Sequence, residues 1–114
     1  MKKSDRELLA RAARAAGLDV DPTEHPRYGL FVVDRRVADC QSDTVLWNPL
    51  HPNTGDALKL AAKLRIPVWF DGETAVIADQ RKCGEPGYRV EIGVDDLYGE
   101  KAMCRAITWA AAER

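Results

Sequence analysis

Apolar and polar positions along this chain follow two periods, and each change of period marks an element. Leu8, Leu9, Ala12, Ala15 and Ala16 recur at helical spacing, with Glu7, Arg11 and Arg14 opposite, which predicts an amphipathic helix over residues 5–16. Ser4-Asp5-Arg6-Glu7 has the form of a capping box, with Ser4 as N-cap. Gly17 suits the left-handed C-cap, and Leu18 can fold back against the helix. Residues 19–27 carry Pro22 and Pro26 among polar neighbours and read as a loop. Residues 28–33 are aromatic and β-branched and predict a strand. Two short extended pieces follow, around residues 37–40 and 44–47, and either could pair with residues 30–33.

The middle of the chain turns on prolines. In Trp47-Asn48-Pro49-Leu50-His51-Pro52-Asn53-Thr54, Pro49 and Pro52 remove backbone donors and stop both strand and helix. Asn53 or Thr54 is the expected N-cap of a second helix, with Asp56 at the positive end of its dipole. Ala57, Leu58, Leu60, Ala61 and Leu64 form the expected buried stripe, and Lys59 and Lys63 the wet side. Residues 66–70 then read as a strand with Pro67 at its end. Asp71-Gly72 predicts a type I′ hairpin returning through residues 73–78. Residues 79–87 read as a loop. Over residues 88–92, Tyr88, Val90 and Ile92 alternate with Arg89 and Glu91, a strand with one wet face. A last helix is expected over residues 98–113, burying Met103, Ala106, Ile107 and Ala110. Lys101, Arg105, Thr108 and Ala112 are expected outside it, with Trp109 at the border.

The expected order is therefore α-β-β-α-β-β-β-α, an α+β fold of antiparallel strands packed on helices. At 114 residues the chain is expected to form one domain, with residues 1–47 as an N-terminal α/β unit and 48–114 as an α-β-β-β-α unit. Hydrophobic residues at 46% and charged residues at 31% argue against disorder. The net charge of −1 lacks the positive excess usual in nucleic-acid binders. Cys40, Cys83 and Cys104 are odd in number and widely spaced, which fits a reducing compartment better than a disulfide framework. Arg11 and Arg14 interrupt the apolar run near the start, so neither a signal peptide nor a membrane span is expected there. A cytoplasmic location follows as the expectation.

Candidate chemistry is sparse. The cysteines, His25 and His51 show no zinc-ligand spacing, and no cysteine carries a nucleophile signature. Gly84-x-x-Gly87 encloses Pro86 and reads as a turn, not a phosphate loop. Asp95-Asp96 and Asp19-x-Asp21 are most simply turn-formers, with Asp95-Asp96 adding negative charge near a helix start. No metal, cofactor or catalytic residue is implied. Trp69 and Trp109 are the candidate protein-binding anchors, because tryptophan is a common interface residue. Alternation places Trp69 opposite Val68 and Phe70; Trp47 is expected in the core.

The order α-β-β-β-α over residues 53–114 resembles the double-stranded RNA-binding domain. That resemblance would make Lys59, Lys63, Lys101 and Arg105 the contacts to duplex phosphates. Glu100 and Asp95-Asp96 flank those positions with the wrong charge, and Asp71-Gly72 stands where that family carries a proline- and histidine-containing hairpin.

A second resemblance rests on Trp47-Asn48-Pro49-Leu50 followed by Gly55-Asp56-Ala57-Leu58-Lys59-Leu60-Ala61-Ala62-Lys63-Leu64. With residues 5–17, Arg105-Ala106-Ile107 and Ala110-Ala111-Ala112, these are similar to small proteins of tailed bacteriophages and prophages. The likeness spans about half the chain and carries no catalytic residue. In that group acidic residues usually follow W-N-P-L, where this chain has His51-Pro52-Asn53-Thr54. It implies a phage accessory protein that binds a host or phage protein, one concrete form being an inhibitor of a bacterial defence system. Nucleic-acid binding is the alternative expectation and a small enzyme the third.

Overall fold

Three helices and two three-stranded antiparallel sheets make up the chain over the residues that the computed structural model describes, 3–20, 28–34, 45–78 and 87–114. Helix α1 (Lys3–Ala15) leads through Gly17, at φ 76°, into strand β1 (Leu18–Val20). Strands β2 (Leu30–Asp34) and β3 (Val45–Trp47) complete the first sheet in the order β1-β2-β3. Helix α2 (Asp56–Leu64) follows, then β4 (Val68–Asp71), β5 (Ala75–Ala78) and β6 (Tyr88–Glu91) in a second sheet of that order, and helix α3 (Glu100–Ala112). The fold is α+β as the sequence predicts, with one more strand.

That strand is β1. It pairs antiparallel with β2 through Leu18↔Asp34 and Val20↔Val32, where a loop is expected from Pro22 and its polar neighbours. Its pairing depends on a partner distant in sequence, which local propensity does not report. Between the two candidates for pairing with residues 30–33, the structure shows β3, in the register Leu30↔Trp47 and Val32↔Val45. The expected strand at residues 37–40 and most of the expected loop at 79–87 lie outside the described residues.

Helix α3 is the hub. It packs against α1, against α2 and on β5 and β6. Ion pairs Asp5–Arg105 and Arg11–Glu113 join α1 and α3 near corresponding ends, so the two helices run in the same sense. Both are buried largely through alanines, among them Ala12, Ala13, Ala106 and Ala110, whose small side chains permit close approach of the helix backbones. One buried cluster runs continuously from Leu9 and Val32 through Trp47 and Leu60 to Val76 and Ile107.

The packing corrects some expected helix faces. Thr108, expected outside, is 0% exposed and donates its hydroxyl to the Cys104 carbonyl at 2.7 Å. Leu58, expected inside, is 75% exposed. Helix α1 begins at Lys3, so Ser4 lies within its first turn and is not its N-cap. The hairpin is also not type I′. Asp71↔Ala75 close the pair, leaving Gly72-Glu73-Thr74 as a three-residue loop in which only Gly72 has positive φ. Asp71 keeps a strand conformation while Arg89 pairs with its carboxylate and the Thr74 hydroxyl donates to its carbonyl.

Candidate functional site

The proline turn between β3 and α2 is braced by its own polar side chains. Asn48 Oδ1 accepts the Leu50 amide at 3.1 Å, an Asx turn. The Asn48 amide donates to Asp56 Oδ2 at 2.9 Å, which ties the end of β3 to the first residue of α2. Thr54 Oγ1 lies within donating distance of the Asn48 and His51 carbonyls and accepts the Asp56 amide. Gly55, at φ 73°, occupies the N-cap position without a side-chain bond of its own, so Thr54 caps from one residue earlier. His51 is held on the outside by the Asn53 amide, which donates to its Nδ1 at 3.2 Å.

Around this turn lies a concave surface. One hollow of about 550 Å³ is bordered by Asp5, Tyr28, Asn48, His51, Lys101 and Arg105, among others. An adjoining hollow of about 530 Å³ shares Tyr28, Asn48, His51 and Asn53 and reaches Leu46 and Asp56. A smaller apolar hollow of about 270 Å³ lies between the turn and α3, against Leu58, Met103 and Cys104. His51 borders all three. Tyr28 reaches this surface because Gly29 packs directly on Trp47 and Asn48; a Cβ there would fall 2.5 Å from the Trp47 carbonyl oxygen.

The four basic candidates are not gathered. Lys101 and Arg105 border the first hollow, whereas Lys59 and Lys63 border a separate one beside Ala16, Leu18 and Trp47. Lys101 pairs with Asp95 at 3.2 Å and Arg105 with Asp5 at 3.3 Å. Lys101 holds the Asp95 carboxyl below its ordinary range by hydrogen bonding. Asp96 accepts the amides of Lys101 at 3.1 Å and Ala102 at 2.9 Å, so it caps α3 across the Leu97-Tyr98 turn. The acidic pair is thus a helix-start device, as its position in the sequence suggests.

The tryptophans divide. Trp47 is 7% exposed and belongs to the core. Trp69 and Trp109 are 38% and 39% exposed, yet they do not share a surface. Trp69 stands in register with Ile77 and Arg89 on the outer face of the second sheet. Trp109 lies on the α3 row between Arg105 and Glu113, along the seam with α1. Trp69 faces away from Val68 and Phe70, as the alternation predicts. Its neighbour Phe70 is exposed on the other side of β4, and the backbone at Gly99 sits against Phe70 and Ile92. Leu97 and Tyr98, immediately before Gly99, are also exposed.

No protein-family model, curated protein or solved structure matches the chain. The surfaces are therefore read from their own chemistry. Cys104 is buried, and burial pushes its thiol above the ordinary range, away from the thiolate a nucleophile needs. His25, Cys40 and Cys83 lie outside the described residues. Among the described residues no group of three or more His, Cys, Asp or Glu side chains is placed to hold a metal ion, and no helix is long and apolar enough to cross a membrane. Tyr28, Asn48 and His51 have no place among the site residues expected from sequence. The signal that could find Asn48 and His51 is the density of turn-forming side chains at residues 48–56; nothing local marks Tyr28.

Proposed function

We propose that this chain is a small accessory protein of tailed-phage type that acts inside a bacterial cell by binding another protein, without catalysis of its own. The observation that carries this reading is the edge of β4. Among the described residues β4 pairs on one side only, with β5. Exposed Trp69 and Phe70 flank that edge on opposite faces, and Gly99, which follows exposed Leu97 and Tyr98 in the chain, sits against Phe70. A strand or loop of a partner laid along β4 would gain backbone hydrogen bonds and aromatic contact on both faces, the usual logic of strand addition. Inhibition of a bacterial defence system is one form such binding takes, by analogy with the phage resemblance.

Duplex binding finds less support, because the basic side chains nearest the start of α3 are already matched by carboxylates. The two readings separate in one experiment. The full chain, tagged and passed through host lysate, is expected to retain one protein in stoichiometric amount and to flow through duplex RNA or DNA at moderate salt. Retention on duplex that is lost in a Lys101→Glu/Arg105→Glu variant would overturn the protein-binding reading.

A further inference from the structure

Leu58 is apolar and belongs by spacing to the buried stripe of α2, yet it is 75% exposed beside buried Ala57. It borders the hollow of about 270 Å³ that lies between α2, the proline turn and α3. On α3 the lining residues are Glu100, Met103, Cys104 and Ile107, which recur at helical intervals and so form one row along the helix. Cys104 and Ile107 are buried and make the floor. Half-buried Met103 and exposed Leu58 make the apolar walls, and methionine adapts to whatever shape fills such a gap.

The row ends in a charge. Glu100 is exposed, and among the described residues its carboxylate meets no hydrogen-bond or ion-pair partner. Lys101 pairs with Asp95 and Arg105 with Asp5, so neither neutralises it. Among the described residues, the charges that push up the Cys104 thiol are Glu100 and Asp96, both acidic, so the hollow lies in a negative field. His51, whose Nδ1 accepts the Asn53 amide, offers its Nε2–H on the same border to a backbone carbonyl. A whole strand or helix is too broad for this hollow, and an anion is repelled from it. One bulky apolar side chain fits, and a cation beside it finds a carboxylate. We propose that the hollow between α2 and α3 seats a leucine or phenylalanine side chain of a protein partner, with an adjacent lysine or arginine on Glu100. Such a buried anchor in a pocket is how a few residues come to dominate an interface. The inference rests on the protein-binding reading and gives the partner a segment of stated chemistry, apolar beside basic, at a surface other than β4.

The test is an NMR titration of the full-length chain, labelled with 15N and at its methionine methyls with 13C, with acetyl-Lys-Phe-Lys-amide. Its Gln-Phe-Gln and Lys-Ala-Lys counterparts are the comparison ligands. The expected result is saturable shifts at Leu58, Glu100, Met103 and Cys104, with binding at least fivefold tighter than for either counterpart. Glu100→Gln is expected to abolish the preference for the lysine peptide over Gln-Phe-Gln, and Leu58→Ser to weaken binding threefold or more. Both side chains are exposed, so both variants are expected to keep the unfolding temperature of the unaltered chain. No saturation at millimolar peptide, equal binding of either counterpart, or shifts that leave Met103 and Cys104 unmoved would each overturn the proposal. A chain that captures a lysate protein but ignores the peptide loses this site and keeps the protein-binding reading. Saturable peptide binding without any captured protein does the reverse.

Discussion

Gly29 and Gly72 both hold positive φ, 86° and 61°, but their surroundings differ. A Cβ on Gly72 meets open space, whereas one on Gly29 collides with the Trp47 carbonyl oxygen at 2.5 Å and Asn48 Cβ at 2.9 Å. Gly72→Ala is expected to lower stability by about 1 kcal/mol, the cost of the left-handed backbone alone. Gly29→Ala is expected to cost roughly 2 kcal/mol or more, because β2 must shift away from the turn. Denaturant titration of the two variants checks the order. Cys104 offers a pH test. Burial raises its thiol pKa in the folded chain, while the unfolded chain ionises near the ordinary value of 9.0. Above that value the unfolded state binds fewer protons than the folded one, so stability falls as pH rises. Cys104→Ala is expected to lose less stability than the unaltered chain between about pH 8 and 10. Comparing unfolding midpoints across that range is the measurement.

At the scale of elements, α3 depends on a cap from outside its own N-terminal residue. Gly99 occupies the N-cap position with no side-chain bond, and Asp96 supplies the carboxylate to the Lys101 and Ala102 amides. Asp96→Ala is expected to destabilise the chain by about 1–2 kcal/mol, with Asp96→Asn costing less, read by thermal or urea unfolding. Elements whose signal is local were legible in the sequence: α1, α2 and α3 from their apolar period, and β6 from the alternation of Tyr88 and Val90 with Arg89 and Glu91. β1 was not, since three residues carry little propensity and pair only through contact with β2. The burial of Thr108 has a related cause. A helix packed on several sides blurs its apolar stripe, and a threonine bonded to its own helix can be buried with its hydroxyl satisfied.

At the scale of the molecule, α3 packs α1, α2 and the second sheet on one core, and β4 forms an edge of that sheet. The basic and tryptophan candidates could be named from sequence, but not which of them meet. Spacing places Lys101 and Arg105 on one helix turn, yet only the fold sets them opposite Asn48 and His51. Likewise Trp69 is readable as an anchor, while the fold sets Gly99 against Phe70 on the opposite face of β4. The β4 edge is the surface proposed to dock a protein. The most direct test is quantitative capture of the retained host protein by the unaltered chain and by a Trp69→Ser/Phe70→Ser variant, with unfolding temperature measured alongside. Docking at β4 is expected to cost the variant tenfold or more in affinity at nearly unchanged unfolding temperature; equal capture by a folded variant would rule out docking there.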